Sequence, residues 1–335
     1  MTTDGVRARA GDAEHVVVLG ASAGGVEALT SFVAGLTEKF PAAVLVVLHL
    51  APGSTSVLPQ ILARACAVPV YAASDGLAID TGAVYVAPSD HHMVVEDHLL
   101  TLTRGPKENG HRPAIDKTMR SAATAYGPAV TGIVLSGTRD DGTAGVVAIK
   151  AEGGRVVVQD PSDALFDSMP RSALEHVHPD AVLAATAMGG WLQETLQAAN
   201  DGEEGRAMPV PDPEPPPAFE RAAGTRFTCP DCGGVLFEER DDSLVRFRCS
   251  VGHAYSPDSL LNEQATALEG ALWMTIRSLE DRATLLQRIS NRARSVGNDL
   301  TAQRFADEAG ATREKARTIR VALEFPEADS SESAA

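Results

Sequence analysis

The sequence predicts an α/β fold: a doubly wound, mostly parallel sheet with an antiparallel hairpin excursion, followed by a small cysteine-rich module and a C-terminal helical pair. Three observations predict this architecture. Short β-branched apolar runs alternate with segments of helical spacing through the first half of the chain. Three cysteines and a histidine are crowded between Cys229 and His253. Beyond them, apolar residues recur at heptad spacing.

The length of 335 residues predicts more than one folded unit, because single hydrophobic cores rarely grow beyond about 250–300 residues. Shifts in composition along the chain indicate where the units begin and end. We expect a loose arm over 1–14, an α/β domain over 15–199, a proline- and acid-rich linker over 200–224, a cysteine-rich module over 225–262, a helical hairpin over 263–326 and a disordered tail over 327–335.

The α/β domain opens with a β-branched strand at His15–Leu19, which meets a glycine-rich turn and then apolar residues at helical spacing from Val26 onward. A second apolar strand spans Ala43–Leu48. Short alternating runs from Ala83 to Thr103, beginning with Val84–Val86, indicate the antiparallel excursion. Parallel order then resumes with a helix at Ala114–Tyr126, a strand at Val130–Leu135, a helix at Thr143–Ala151 and strands at Arg155–Val158 and Ala181–Leu183.

The charge balance argues against two classes of partner. With 45 acidic against 29 basic residues, the formal net charge of −16 repels nucleic-acid phosphates and anionic membrane surfaces. The chain also has no apolar run of the roughly 20 residues that a membrane-spanning helix needs, and its start does not resemble a signal peptide. We therefore expect a cytoplasmic protein that binds no nucleic acid and does not insert into membranes.

A glycine-rich loop, Gly20–Gly25, satisfies the pattern G-x-S-x-G between the first strand and the first helix. Ser22 would sit on a tight turn, with backbone N–H groups of Ala23 and Gly24 at the helix N-terminus available to a developing oxyanion. The same loop also fits a dinucleotide pyrophosphate. That alternative requires an acid at the end of the second strand, where this chain has His49.

Two further polar positions follow strands of the same sheet. His49 ends the second strand, and Asp140 and Asp141 follow the strand Val130–Leu135. Taken singly, Ser22 is an ordinary turn residue, His49 an ordinary strand-end histidine and the aspartates an ordinary helix N-cap. Because parallel strands bring their carboxyl ends to one edge of the sheet, the three residue types together predict a serine hydrolase, with either aspartate as the orienting acid.

Four motifs follow one another along the chain: G-A-S-x-G-G at Gly20–Gly25, H-x-x-P-G at His49–Gly53, H-R-P at His111–Pro113 and G-x-x-x-D-G at Gly137–Gly142. Together they resemble the catalytic domain of the chemotaxis protein-glutamate methylesterases, the CheB type, over roughly His15–Leu196. The resemblance implies that Ser22 attacks a receptor glutamate methyl ester, that His49 shuttles the proton and that Asp141, which directly precedes a glycine, holds the imidazole. It implies no cofactor for catalysis, and the same site could deamidate glutamine.

The resemblance also implies supporting residues and partners. Backbone near Thr138 would join the oxyanion site, whereas Ala23 stands where the family often has threonine. Apart from the resemblance, we expect His92 to line the cleft and Arg112 either to steer an acidic receptor segment or to serve as a helix N-terminal cap or surface salt bridge. A methylated, chemoreceptor-like protein is the expected substrate, with a sensor kinase or methyltransferase as further partners. The fourteen residues before the α/β domain are too few for the family's phospho-acceptor receiver domain. We therefore expect that phosphorylation within the same chain does not control the active site. The alternative is a non-catalytic module that recognises a receptor or a sensor kinase.

The cysteine-rich module predicts a structural zinc site. Cys229 and Cys232 form a C-x-x-C knuckle, and Cys249 and His253 supply a further thiolate and an imidazole. Four such ligands suit a closed tetrahedral zinc site in a zinc-ribbon-like module, a better fit than a redox-active Cys229–Cys232 pair. The heptads that follow are interrupted at Gly297, so the two helices either form an intramolecular hairpin or pair in a homodimer.

Overall fold

The computed structural model describes residues 11–50, 56–202, 224–241 and 244–324. The predicted tail, and most of the predicted arm and linker, lie outside these residues. The chain divides into two compact units, Met1–Leu260 and Leu261–Ala335. Within the described residues, no helix is both long enough and apolar enough to cross a membrane.

The α/β region is built on one sheet of seven parallel strands, which confirms the predicted architecture. The strands of this region are β1 (Val16–Ala21), β2 (Ala43–Leu48), β3 (Val70–Ala72), β4 (Leu77–Ala78), β5 (Val84–Val86), β6 (His92–Glu96), β7 (Leu99–Thr103), β8 (Val130–Val134), β9 (Arg155–Gln159) and β10 (Ala181–Leu183). The order in the seven-stranded sheet is β10-β9-β8-β1-β2-β5-β3, and each neighbouring pair runs parallel.

Helices cover both faces of this sheet because its central strands are apolar on both sides. Along β1, Val17 and Leu19 pack with Phe32 on one face, whereas Val16 and Val18 contribute to the core on the other. The helices α1, α2 and α6 cover the first face and α3, α4 and α5 the second. Their bounds are α1 (Gly25–Ala34), α2 (Leu58–Ala65), α3 (Ile115–Tyr126), α4 (Thr143–Ala151), α5 (Ser168–His176) and α6 (Ala185–Gly202).

One detail of the antiparallel excursion was predicted wrongly. The strands β4, β7 and β6 do form a small antiparallel sheet. Val84–Val86, however, lies between β2 and β3 and pairs in parallel with both. All three of its residues are buried, and a run of three apolar residues has no period that distinguishes a central parallel strand from a hairpin strand.

The cysteine-rich region forms an antiparallel sheet, β11 (Gly224–Thr228), β12 (Val235–Asp241), β13 (Leu244–Cys249) and β14 (Ala254–Tyr255). The short runs at Val235–Phe237 and Val245–Phe247, which the sequence predicts as strands of a zinc ribbon, lie within β12 and β13. The helix α7 (Pro257–Ser295) begins inside the range predicted for this module, and α8 (Asp299–Glu324) follows the predicted interruption. Within the second unit these helices are antiparallel, as shown by contacts of Arg320 with Glu280 and of Ser290 with Ala302.

Candidate active site

Ser22 lies on the tight turn that joins β1 to α1. Its backbone N–H donates to the carbonyl of Ser136 at 2.9 Å, which ties the turn to the end of β8. Gly24 has a left-handed backbone (φ 70°) and occupies the N-cap position, so the helix starts at the next residue. The first-turn N–H groups of α1 therefore lie beside the serine, where the helix dipole favours negative charge.

The structure brings Ser22, His49 and Asp141 together in one hydrogen-bonded relay. The Nδ1 atom of His49 lies 3.1 Å from Ser22 Oγ, and its Nε2 atom lies 2.7 Å from Asp141 Oδ2. The side chains of His49 and Asp141 are only 6% and 2% exposed. An imidazole that carries its proton on Nε2 donates to Asp141 and presents the Nδ1 lone pair to the serine hydroxyl, which is the arrangement of a general base.

Asp141 is held as a carboxylate by donors around it. Both oxygens accept hydrogen bonds, among them those from the backbone N–H groups of Ile115 (2.8 Å) and Asp116 (3.2 Å). Burial raises the pKa of Asp141, but the hydrogen bond from His49, nearby imidazoles and these N–H donors outweigh it and hold the pKa below its ordinary value. Asp140, the other aspartate, accepts a hydrogen bond from Ser259 instead (2.8 Å).

His111 stacks on His49, with ring centroids 3.6 Å apart and planes inclined by 10°. Burial, and secondly the nearby His49, lower the pKa of His111 to about 3, so it is neutral at physiological pH. The stack fixes the plane of the His49 ring without adding charge. The sequence placed His111 in the H-R-P motif but gave no reason to assign it this contact.

A second carboxylate, Asp116, lies behind Asp141 at the start of α3. Its Oδ1 accepts from the N–H groups of Gly142 (3.0 Å) and Gly145 (2.7 Å), and its Oδ2 accepts from the Asn109 amide (2.9 Å). Burial and the nearby Asp141 raise its pKa to about 7. Sequence reasoning missed this network. Asp116 belongs to the segment after H-R-P, but no pattern signals Asn109.

The prediction that His92 lines the cleft is wrong. His92 is completely buried, with Nε2 2.9 Å from the Pro106 carbonyl and Nδ1 3.3 Å from the Ala114 N–H. Burial lowers its pKa to about 4. Because both ring nitrogens are used within the protein, the residue supports the segment before α3 and has no surface for substrate.

The other predicted binding residues lie around the site. Thr138 is exposed in the loop between β8 and α4. Arg112 borders a depression beside His49, His111 and Lys107. Its guanidinium also donates hydrogen bonds to Asp90 at 2.6 Å and to two backbone carbonyls, so contacts inside the protein fix its position.

The four predicted metal ligands are also brought together. Cys229 Sγ lies 3.7 Å from His253 Nδ1, Cys249 Sγ lies 3.5 Å from the same atom, and Cys232 Sγ lies 3.7 Å from Cys249 Sγ. All four ligand atoms lie within 4.8 Å of one another. Tetrahedral zinc with Zn–S bonds of about 2.3 Å separates its ligand atoms by about 3.5–3.8 Å, so the residues fit that ion.

A doubly wound sheet with a serine, an imidazole and a carboxylate aligned at its carboxyl edge has the site geometry of the serine hydrolases. Comparison with known families makes the relationship specific. The model of the CheB methylesterase family matches residues 17–192, which is more than half of the chain. The chain belongs to the CheB methylesterase family.

Named relatives and a solved structure agree with this relationship. A protein-glutamate methylesterase/protein-glutamine glutaminase of Methanosarcina mazei is 36% identical over 182 residues, covering 52% of this chain and 50% of the relative. One of Myxococcus xanthus is 39% identical over 167 residues, covering 49% and 48%. The crystal structure of the Thermotoga maritima CheB methylesterase catalytic domain matches with a TM-score of 0.53 and 34% identity, covering 54% of this chain and 98% of that domain. The chain thus spans about half the length of the first two relatives.

Proposed function

We propose that this protein is a serine hydrolase that demethylates glutamate methyl esters on a protein substrate. The observation that carries the proposal is the continuous relay from Ser22 through His49 to Asp141 at the edge of the sheet. The family relationship supports the substrate class, because the relatives are named protein-glutamate methylesterases. By the same analogy, a chemoreceptor-like signalling protein is the proposed substrate.

The geometry supports acyl transfer in two stages. Ser22 Oγ attacks the ester carbonyl while its proton passes to His49 Nδ1, and Asp141 stabilises the imidazolium that forms. Backbone N–H groups of Ala23 and Gly24, with backbone near Thr138, would bind the oxyanion. His49 then returns the proton to methoxide, methanol leaves, and a water activated by the same imidazole releases the glutamate carboxylate from Ser22.

Glutamine deamidation is a second activity of the same site. An amide reaches a similar tetrahedral intermediate, with ammonia leaving in place of methanol, and the relatives' names include protein-glutamine glutaminase. The cationic side chains of Lys107 and Arg112 border the depression beside His49. They would favour an acidic segment of the substrate, although Arg112 is already paired with Asp90 and Lys107 with Asp231.

We also propose that Cys229, Cys232, Cys249 and His253 hold a zinc ion. Their separations suit tetrahedral coordination, and two of the three thiols are buried. Four protein ligands close the coordination shell, so this ion would stabilise the fold of the module and would supply no chemistry to the ester.

The test is Ser22→Ala in the full chain, with methanol release measured from a methyl-esterified receptor fragment and ammonia release from its glutamine form. Loss of the nucleophile should lower both rates by at least about 10⁴-fold, because a triad acts as a unit. Ser162→Ala is the matched control, since it removes an exposed hydroxyl that bonds to Asp160. Turnover that survives in Ser22→Ala would refute the proposal, and turnover of only one substrate would decide between esterase and glutaminase.

A further inference from the structure

We propose that the Cys/His module, residues 224–260, positions Asp141 through Asn109 and thereby sets the rate of the hydrolase. The inference rests on the proposed function. The module folds in the same compact unit as the α/β domain and contacts it on the segment immediately before α3. Asn109 is thus a positioning residue, which acts on the ester only through Asp141 and His49.

Asn109 joins the module to the catalytic carboxylate through its side-chain amide. Its Nδ2 donates to Asp141 Oδ1 at 3.0 Å and to Asp116 Oδ2 at 2.9 Å. Its Oδ1 accepts from the backbone N–H of Ser256 at 3.0 Å, and its own N–H donates to the carbonyl of Ala254 at 2.8 Å. The side chain is therefore fixed between two carboxylates on one side and the module on the other.

The residues beside Asn109 anchor the same interface. Glu108 is buried and forms ion pairs with Arg246 of the module at 3.1 Å and with Arg120 of α3 at 2.5 Å. Lys107 pairs with Asp231 at 3.3 Å. Three consecutive residues of the α/β domain thus bind the module, and a buried charge that loses one of its partners is costly.

The module also contacts the loop that carries Asp141. Ser259 Oγ donates to Asp140 Oδ1 at 2.8 Å, directly before Asp141 in the chain. The module therefore holds the acid from two sides: through Asn109 and through the preceding residue.

The backbone groups that contact Asn109 belong to residues that directly follow a proposed metal ligand in the sequence. Ala254 directly follows His253, and the carbonyl of His253 accepts from the N–H of Cys249 at 3.0 Å. Ser256 lies two residues further along. Ordering of the cysteine and histidine side chains therefore orders the backbone groups that hold Asn109, which links the state of the cluster to the carboxylate of Asp141.

Separation of the module should change kcat rather than KM. Asn109 has a left-handed backbone (φ 52°), a conformation that asparagine adopts more readily than most residues with a side chain, and the module's hydrogen bonds help to hold it there. Without them the amide no longer bridges Asp116 and Asp141, so the carboxylate that orients His49 loses a fixed donor. The side chains of Asn109, Asp116 and Asp141 are buried, and a displacement of about 1 Å in a catalytic group can cost about 100-fold in rate.

The first test reverses one charge at the interface. Arg246→Glu places an acid against buried Glu108 and should lower kcat for methyl-ester hydrolysis by about 10-fold to 100-fold, with KM within about twofold. Arg240→Glu, on the neighbouring strand and with an exposed side chain, is the matched control and should keep the wild-type kcat. In an Asn109→Ala background, Arg246→Glu should add little further loss, because both substitutions act through one residue.

The second test separates this inference from the proposed function. Zinc is removed with a chelator and restored with zinc chloride, while proton NMR follows the hydrogen-bonded Nε2–H of His49, assigned by its absence from His49→Gln. Chelation and Asn109→Ala should each shift or broaden this resonance, whatever substrate the enzyme takes. Unchanged kcat together with an unchanged resonance, in Arg246→Glu and after chelation, would overturn the inference while leaving the hydrolase intact. Absence of turnover in the untreated protein would refute the hydrolase alone.

Discussion

At the scale of single residues, the nucleophile depends on a close approach of two backbone segments. A methyl group built on Gly137 would lie 2.9 Å from Ser22 Cβ and 2.0 Å from the Met169 sulfur. Gly137 also exchanges backbone hydrogen bonds with the Phe166 carbonyl and the Met169 N–H. Ser22 therefore keeps its distance to His49 only because this neighbouring position has no side chain.

Gly137→Ala should displace Ser22 or Met169 and lower kcat for methyl-ester hydrolysis by about 10-fold or more, with a loss of about 1–3 kcal/mol of unfolding free energy. Methanol release and denaturant unfolding check the two effects separately. Gly190→Ala is the control, because a methyl group there meets nothing within 4 Å. Wild-type kcat in Gly137→Ala would show that the turn tolerates the extra atoms.

At the scale of elements, the small antiparallel sheet brings the four proposed ligands together from two turns. Cys229 and Cys232 precede β12, and Cys249 ends β13 with His253 just before β14. The pairing of β12 with β13 sets Leu236 opposite Cys249, so the two halves of the cluster meet at one end of the sheet. A sheet this small has few apolar residues to bury, and a metal would contribute much of its stability.

The purified protein should contain one zinc per chain, measured by elemental analysis. Cys232→Ser should lose it, because three remaining ligands leave the site open, and the exposed Cys232 side chain can be replaced without a loss of packing. Cys66→Ser, at a cysteine outside the cluster, should keep the metal. Equal zinc contents in the two variants would contradict the assigned ligands.

At the scale of the whole molecule, two histidines that are neutral in the folded protein, buried His92 and half-buried His111, make folding sensitive to acid. Burial lowers the pKa of His92 to about 4 and that of His111 to about 3, below the ordinary value of 6.5. Between these values and 6.5 the unfolded chain binds more protons than the folded protein. The free energy of unfolding is therefore highest above pH 6.5. It declines as the pH falls from 6.5 to the folded-state pKa values, where the folded protein takes up the same protons.

The free energy of unfolding should fall on acidification from pH 6.5 to 4, by up to about 3 kcal/mol from His92 alone. His92→Gln, whose amide can both donate and accept, should be less stable at neutral pH but should flatten this decline. His178→Gln, at an exposed histidine, should keep the wild-type dependence. Urea unfolding at a series of pH values measures the free energy of unfolding. If His92→Gln kept the wild-type pH dependence, the decline could not be attributed to His92.

Much of this fold could be predicted because hydrophobic periodicity is a local property of the chain. The predicted helix at Thr143–Ala151 and the predicted strand at Ala43–Leu48 have the bounds found in the structure. The burial of the C-terminal helices is less uniform. Leu268, Ile276 and Ala309 all belong to the apolar residues at heptad spacing, but Ile276 and Ala309 are buried whereas Leu268 is 61% exposed. A heptad shows that a helix has an apolar stripe, but the partner helix decides which of its residues are covered.

The candidate site was only partly predictable for the same reason. Motif spacing singled out Ser22 and His49, and strand order implied that they meet. The sequence around β6 gave no sign that His92 turns into the core, and the polar segment before α3 gave none that Asn109 reaches Asp141. Those outcomes depend on contacts between residues distant in the chain, which no local pattern encodes.

By itself, the sequence determined the parallel α/β architecture, the serine loop and the cysteine pairs, because each follows from periodicity or from the spacing of a few neighbouring residues. Only the tertiary structure decided that His111 stacks on the His49 ring, that Asn109 reaches Asp141 and that the Cys/His module binds the segment carrying Asn109. The physical reason is that hydrogen bonds and ring contacts reach only a few ångströms, so their partners are set by how the folded elements pack.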